Sequence, residues 1–298
     1  MIEQAVGTLA DSIRLPFRSL TSQESVLVVA PHPDDETLGC GGAIALLRSQ
    51  NCPVWVLVVS DGTQSHPRSR KYPAPVLQQL RQQETLDALT ILGVDQEAVT
   101  FLRLLDGAVS TLATLEQYQA ECRDYLKAIA PKTIFLPWRH DPHSDHRATW
   151  QLIHSAIADL KFSPRLIEYP IWDWDSDQSN GLPDSAQIMS WRLDIKSVVS
   201  LKQRAIAAYR SQITDLINDD PEGFRLTPEM LANFTRPWEV YFEEIKCIHS
   251  SPILYRPAIL TISIGLTLTP GSLRLVIMKP LNMQPRSQHF PNPNTSQR

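Results

Sequence analysis

One stretch constrains the fold more than any other in this chain. The apolar run Val26–Ala30 passes almost directly into a His-Pro-Asp-Asp-Glu segment, His32–Glu36, and then into a glycine-rich helical pattern that continues to Ser49. Five consecutive apolar residues are typical of a strand that is buried on both faces of a parallel sheet. Open α/β sheets bind their ligands at the carboxyl ends of such strands. The stretch therefore predicts several metal-ligand side chains at the carboxyl end of a central strand.

Strands and helices continue to alternate beyond this point. Further strands are predicted at Val54–Ser60, Val99–Leu104, Thr133–Pro137 and Leu166–Ile171, with helices over residues 76–92, 111–129 and 148–160. This alternation predicts an α/β fold with a doubly wound, Rossmann-like, mainly parallel sheet and helices on both faces. Right-handed crossovers then bring the carboxyl ends of the strands to one edge. We expect Asp61, Asp106 and residues 140–146 to join His32–Glu36 there.

The same patterns predict three segments. Residues 1–24 form an N-terminal helical extension, because their apolar positions follow one helical face. Residues 25–248 form the α/β domain, which later strands at 188–195 and 239–245 and a helical stretch at 196–214 complete. Residues 249–298 form a C-terminal extension, in which alternation over 260–278 suggests a hairpin and the polar, proline-rich remainder a disordered tail.

Composition limits the functional classes. The formal net charge of -4 gives no indication of a nucleic-acid partner. The four cysteines are scattered without a C-x-x-C pair, which is typical of reduced thiols in a cytoplasmic protein. No apolar signal-peptide core is visible near residue 1. Membrane contact is not favoured, and a homo-oligomer is compatible with the sequence.

Histidine is concentrated at one place, since three of the eight histidines lie between His140 and His146. Catalytic zinc takes three protein ligands from histidine and carboxylate and leaves one position for water. His32, one aspartate of the first segment, and His146 or His143 would meet that requirement. A spare carboxylate could accept a proton and a spare histidine could donate one. Capping of the next helix would explain one or two of the acids, but not the histidine.

These residues carry a resemblance to a known family. Residues 30–36, Ala-Pro-His-Pro-Asp-Asp-Glu, together with residues 143–146, His-Ser-Asp-His, resemble the PIG-L/LmbE family of zinc-dependent N-deacetylases. That family acts on N-acetylglucosamine-type groups in glycolipids, thiol-cofactor precursors and glycosylated antibiotics. Arg81, Glu84 and Asp106 extend the match, which runs from about residue 25 to about residue 243.

The resemblance implies roles for the central residues. His32, Asp35 and His146 would hold one zinc ion per chain, although another divalent metal such as Fe²⁺ would also fit. Asp34 would be the general base that takes a proton from the zinc-bound water attacking the acetamide. His143 would assist the oxyanion and the leaving amine.

The resemblance also implies roles for residues around this centre. Arg81 and Asp106 would contact sugar hydroxyls, and Asp145 would orient a histidine from outside the metal site. Some family members carry a tyrosine two residues before the first histidine of the second motif as an oxyanion helper. This chain has Asp141 at that position, so the helper is unassigned.

Simpler interpretations exist for two of these residues. Arg81 and Glu84 could form an ion pair on an exposed helix face, because they lie three residues apart on a predicted helix. Asp106 and Gly107 could serve only as a turn.

Other functional classes fit the sequence less well. A nucleotide-binding Rossmann-like domain is disfavoured because Ile44 stands where its third small residue belongs, and because three acids would repel a pyrophosphate. No G-x-S-x-G motif of a serine hydrolase occurs. Two histidines and a carboxylate could hold Fe(II) in an oxygenase. We therefore expect a metal-dependent hydrolase that deacetylates a small-molecule or glycolipid amino sugar, with an amidase for another N-acyl substrate as the alternative.

Overall fold

The computed structural model describes residues 25–172 and 188–244. The predicted N-terminal helical extension, the C-terminal hairpin with its tail, and residues 173–187 lie outside the described residues. None of the helices in the described part combines the length and apolar character needed to cross a bilayer.

The described residues form one seven-stranded sheet with eight helices and two short 3₁₀ turns. The strands are β1 (Val26–Ala30), β2 (Val54–Ser60), β3 (Val99–Leu104), β4 (Thr133–Pro137), β5 (Arg165–Tyr169), β6 (Ile188–Asp194) and β7 (Trp238–Glu244). The helices are α1 (Asp35–Ser49), α2 (Ala74–Ile91), α3 (Val109–Leu112), α4 (Glu116–Ile129), α5 (Ser144–Ala158), α6 (Val199–Ile206), α7 (Arg210–Ile213) and α8 (Pro228–Phe234). The 3₁₀ turns are Thr63–Ser65 and Gln96–Ala98.

The strand order is β3-β2-β1-β4-β5-β7-β6. Strands β1 to β5 pair in parallel, whereas β7 runs antiparallel to both of its neighbours. The chain moves outward from β1 through β2 to β3, then returns to place β4 on the other side of β1. The boundary between β1 and β4 is therefore the topological switch point, where sheets of this type form a crevice.

Alternate residues of the central strands pack into two separate cores. Val26, Val28 and Ala30 belong to the core on the side of α1, whereas Leu27 and Val29 pack on the opposite side with residues of α4 and α5. All five are buried, and fully burying a valine or leucine side chain contributes about 1.5–3 kcal/mol. Both faces of the sheet are thus covered by helices, and the predicted doubly wound α/β fold is confirmed.

Two predicted helices are each divided in the structure. The helix expected over residues 111–129 is interrupted between α3 and α4, where the Thr114 hydroxyl donates to the Thr111 carbonyl at 2.7 Å and competes with the helical backbone pattern. The helical stretch expected over 196–214 breaks at Tyr209, whose backbone leaves the helical region while its buried hydroxyl contacts Glu36. The first helix begins at Asp35, within the acidic segment, so Asp35 and Glu36 lie in its first turn.

Candidate metal centre

The candidate site lies at the switch point of the sheet. His32, Asp34 and Asp35 follow β1, and His143 and His146 lie at the start of α5, just beyond β4. The parallel pairing of β1 with β4 brings these two segments together although more than 100 residues separate His32 from His146. The fold therefore brings two segments that are distant in the sequence into one site.

Three donor atoms form a nearly equilateral triangle. His32 Nδ1 lies 3.2 Å from Asp35 Oδ2 and 3.3 Å from His146 Nε2, and the same two atoms of Asp35 and His146 are 3.3 Å apart. A tetrahedral cation with ligand bonds of about 2.0–2.1 Å has ligand–ligand edges of about 3.3–3.4 Å. The residues present therefore fit a zinc-like cation, with a fourth position left for another ligand.

A second group of ligand-type side chains shares one member with the first. His32, His143 and Asp145 also approach one another closely enough to hold a cation. However, Asp145 Oδ2 approaches the Nε2 atom of His32 at 3.5 Å, on the side of the ring away from Asp35. The tighter triangle of His32, Asp35 and His146 is the better match to tetrahedral geometry.

In both His32 and His146, the ring nitrogen that points away from the donor triangle lies near a carboxylate. His32 Nε2 lies 3.3 Å from Asp106 Oδ1 as well as 3.5 Å from Asp145 Oδ2, and His146 Nδ1 lies 3.3 Å from Asp141 Oδ2. Carboxylates at this position fix the ring orientation of a metal-binding histidine and raise its basicity.

The structure places the Asp145 carboxylate beside the His32 ring. It also brings Asp106, expected to contact substrate, against His32. Asp141 was not assigned a role from the sequence, and its only signal was its place two residues before His143.

Asp141 also organises the surrounding backbone. Its carboxylate is fully buried and accepts hydrogen bonds from the backbone N–H of His143 at 2.8 Å, Trp172 at 3.3 Å and Ile171 at 3.4 Å. The same carboxylate therefore links the segment before α5 to the segment after β5 and to His146.

The pKa values of the donors reflect this mutual arrangement. Burial by itself would raise the pKa of Asp35, but His146 and His32 hold it far below the ordinary value. Burial would lower the pKa of His146, but Asp35 and Asp141 raise it to about 9. The centre therefore keeps Asp35 ionised and favours positive charge beside it, which is the electrostatic requirement of a cation site.

Asp34 has an unusual backbone and a buried carboxylate. Its φ of 126° and ψ of -29° lie in a region that L-amino acids rarely adopt, and such strain costs on the order of 1–3 kcal/mol. Burial raises the pKa of its carboxyl to about 8, against the opposing effect of Arg81 and with a smaller contribution from Asp35 in the same direction. Strained residues of this kind concentrate at functional sites.

Arg81 and Glu84 are both buried, with exposed fractions of 3% and 4%, so the interpretation as an ion pair on an exposed helix face is wrong. The Arg81 guanidinium donates to Asp34 Oδ2 at 3.0 Å and to two backbone carbonyls. The Glu84 carboxylate instead accepts from the backbone N–H and hydroxyl of Ser211, at 2.8 and 2.6 Å. The two side chains point in different directions and join different parts of the molecule.

His143 forms the amino-terminal cap of α5. Its Nδ1 accepts the backbone N–H of Asp145 at 3.2 Å, so the neutral ring carries its proton on Nε2. Burial, followed by the nearby His32 and His146, lowers the pKa of His143 to about 4. A neutral imidazole with a fixed N–H donor therefore stands beside the cation site.

The aromatic and acidic residues at the rim have different surroundings. Trp138 is buried, with an exposed fraction of 1%, and packs on Phe242, so it belongs to the core. Trp172 is only partly buried and stacks on the His143 ring with centroids 6.2 Å apart. The Asp61 carboxylate accepts hydrogen bonds from the Thr63 hydroxyl and the Asp106 backbone N–H, and so joins the loops that follow β2 and β3 at the rim.

Comparison with known proteins identifies relatives of this chain. Residues 27–157 match the family model described as PIG-L: GlcNAc-PI de-N-acetylase. A Bacillus subtilis (strain 168) protein named "Probable N-acetyl-alpha-D-glucosaminyl L-malate deacetylase 2" is 28% identical over 228 residues, which cover 74% of this chain and 97% of that protein.

Solved structures support the fold. The N,N'-diacetylchitobiose deacetylase of Pyrococcus horikoshii aligns with a TM-score of 0.52 and 24% identity over 65% of this chain and 72% of its own. GalB, the 4-carboxy-2-hydroxymuconate hydratase of Pseudomonas putida KT2440, aligns with a TM-score of 0.57 and 20% identity over 74% and 96%. At these identities the structural match supports the α/β fold alone. The resemblance to the PIG-L/LmbE family that the two sequence motifs predict is confirmed by the family match over residues 27–157.

Proposed function

We propose that this chain is a metal-dependent deacetylase that hydrolyses the acetamide of an N-acetylglucosamine-type substrate. The observation that carries the proposal is the triangle of His32, Asp35 and His146 donor atoms, with edges of 3.2–3.3 Å, beside the buried Asp34 carboxylate and the neutral His143 ring. The family match and the deacetylase name of the Bacillus subtilis relative support the same reaction.

His32, Asp35 and His146 would hold the cation. A bound zinc ion supplies a Lewis acid that polarises an acyl oxygen and lowers the pKa of a water molecule to about 7. Two histidines and one carboxylate fill three of the four ligand positions of zinc and leave the fourth open for water, as catalytic zinc sites require.

Asp34 would transfer the proton, and His143 would stabilise the oxyanion. The Asp34 carboxylate accepts a proton from the attacking water, since its pKa of about 8 would fall next to a bound cation. The His143 Nε2–H donates a hydrogen bond to the developing oxyanion. A bond forms between the water oxygen and the carbonyl carbon of the acetamide, and the C–N bond breaks. The proton that Asp34 accepted passes to the leaving amine, so that acetate and a free amino sugar result.

The substrate and setting form part of the same proposal. We infer a small-molecule or glycolipid amino sugar as substrate, a cytoplasmic location, and no nucleic-acid partner. The partly exposed ring of Trp172, stacked on His143, supplies an apolar surface of the kind that sugars pack against.

Metal analysis together with acetate release tests the proposal. We expect about one zinc per chain, and acetate from N-acetylglucosaminyl compounds but not from N-acetyl amino acids. Removal of metal should abolish acetate release and zinc should restore it. Acetate release from the amino acids alone would favour the alternative amidase. Absence of activity in the zinc-loaded protein against both groups would overturn hydrolysis as the function.

A matched pair of histidine variants locates the site. His146→Ala should lose both metal and activity. His154→Ala removes an exposed histidine from the same helix, where it stacks on Trp150 with centroids 4.5 Å apart, and should retain both. Loss of metal from the His154 variant, or its retention by the His146 variant, would contradict the proposed ligand set.

A further inference from the structure

We propose that Arg81 is a positioning residue that holds the Asp34 carboxylate, and that it does not bind substrate. This inference rests on the proposed function, in which Asp34 accepts a proton from water. It differs from the role in sugar recognition that the sequence resemblance implies for Arg81.

The contacts of the guanidinium group carry the argument. Arg81 Nη2 donates to Asp34 Oδ2 at 3.0 Å and to the backbone carbonyl of Pro33, and Nη1 donates to the carbonyl of Gly62 at 3.0 Å. With an exposed fraction of 3%, the side chain is withdrawn from the solvent-facing rim. Its terminal nitrogens are therefore already engaged with the loops that follow β1 and β2.

The backbone of Asp34 explains why such a hold is needed. Its φ of 126° is unfavourable for a residue with a side chain, so this conformation persists only where surrounding contacts enforce it. The Asp34 N–H donates to Glu36 Oε2 at 3.1 Å, which restrains the backbone from one side. Arg81 restrains the carboxylate and the preceding carbonyl from the other side, and so directs the Asp34 side chain separately from that of Asp35.

Two features fix Arg81 itself. Glu84, one turn further along α2, is bound to Ser211 at the start of α7 and so anchors the helix that carries Arg81. Gly62 has a φ of 69°, and a Cβ atom there would lie 2.8 Å from Arg81 Nη1. The space left by this glycine allows the guanidinium to reach the carbonyl directly.

Kinetics of Arg81 variants separate positioning from substrate binding. Arg81→Lys keeps the charge but loses the planar fork that spans two acceptors. We expect its kcat to fall at least tenfold while KM changes less than threefold and the zinc content stays at about one per chain. Free guanidinium should restore part of kcat in Arg81→Ala. A raised KM with unchanged kcat would assign Arg81 to substrate binding and overturn the proposal.

Arg48→Lys provides a matched control. Arg48 likewise donates to two backbone carbonyls, those of Gly93 and Cys52, but it lies in the last turn of α1, at the far end of that helix from Asp35. Loss of its contacts should lower Tm without changing kcat per folded molecule. A similar fall of kcat in both variants would mean that Arg81 acts through general stability, against the proposal.

A crystal structure of metal-free Arg81→Lys decides the question without any assay. The Asp34 carboxylate should move and its φ should leave the positive region, whereas an unchanged Asp34 would overturn the positioning role. Should the wild-type protein show no acetate release, the proposed function fails, yet this structural result still shows whether Arg81 positions Asp34.

Discussion

Asp34 and Asp35 are neighbours in sequence but their carboxylates have opposite electrostatic surroundings. Two histidines hold the pKa of Asp35 far below its ordinary value despite burial, whereas burial raises the pKa of Asp34 to about 8. Pairs of titratable groups whose environments separate their pKa values are typical of acid–base sites. This contrast favours a cation ligand at Asp35 and a proton acceptor at Asp34.

Asp34→Asn tests that division of roles. The amide cannot accept the proton from water, so we expect kcat to fall by about 10²–10⁴-fold, the usual contribution of a general base. The three ligand side chains are unchanged, so the zinc content should remain at about one per chain. Steady-state kinetics and elemental analysis measure the two effects. Full activity in this variant would show that another group accepts the proton.

Asp141→Asn tests the carboxylate that lies 3.3 Å from His146 Nδ1. Loss of its charge should make His146 less basic and weaken metal affinity by about 10–100-fold. Competition with a calibrated chelator measures the change. Asp124→Asn removes a carboxylate that is 77% exposed and should leave affinity unchanged. Equal affinities of the Asp141 variant and the wild type would argue that His146 is oriented by other contacts.

At the scale of secondary-structure elements, a buried ionic cluster joins α1, α6 and β7. Lys202 Nζ donates to Glu239 Oε1 at 2.7 Å and to the Leu38 carbonyl at 2.7 Å. The Glu239 carboxylate also accepts the backbone N–H groups of Gly42 and Ala43, at 2.7 and 2.8 Å. The cluster therefore fixes the helix that begins with the predicted metal ligand Asp35 against the antiparallel end of the sheet.

Removal of both partners of the Lys202–Glu239 pair should lower the free energy of unfolding by less than the sum of the two single removals. Lys202→Met leaves the Glu239 charge buried without its cation, which we expect to cost about 3–5 kcal/mol of unfolding free energy. Lys202→Met combined with Glu239→Gln should cost less than the sum of the single variants. Urea unfolding measures the values. Lys127→Met is the control, because Lys127 and its ion-pair partner Asp124 are 56% and 77% exposed. It should change the free energy of unfolding by no more than about 0.5 kcal/mol. If the losses of unfolding free energy caused by Lys202→Met and Glu239→Gln simply add, the two side chains are not energetically coupled.

At the scale of the whole molecule, the ligands come together only when the parallel sheet is folded. A cation that binds the folded chain alone stabilises it by about 4 kcal/mol at a free concentration 1,000-fold above Kd. For a domain of this size, Tm should then rise by about 8–16 °C. Calorimetry with zinc and with a chelator measures the shift. The same shift in His146→Ala would place the stabilising ion elsewhere.

The order of elements and the site segments could be predicted because they depend on local patterns. Apolar runs marked β1 to β5, and the change from apolar to ligand-type residues marked where β1 and β4 end. The breaks at Thr114 and Tyr209 could not be predicted, because one depends on a local hydroxyl contact and the other on a distant partner, Glu36. Periodicity alone does not distinguish a continuous helix from an interrupted one.

The doubly wound fold and the two segments that meet at the switch point follow from the amino-acid sequence, because strand burial and crossover handedness depend on short-range patterns and chirality. The tertiary structure was needed to show which atoms face one another. It directed Arg81 to Asp34, Asp106 to His32 and Asp141 to His146. Those pairings depend on side-chain directions and on packing between elements distant in sequence, and no spacing along the chain encodes them.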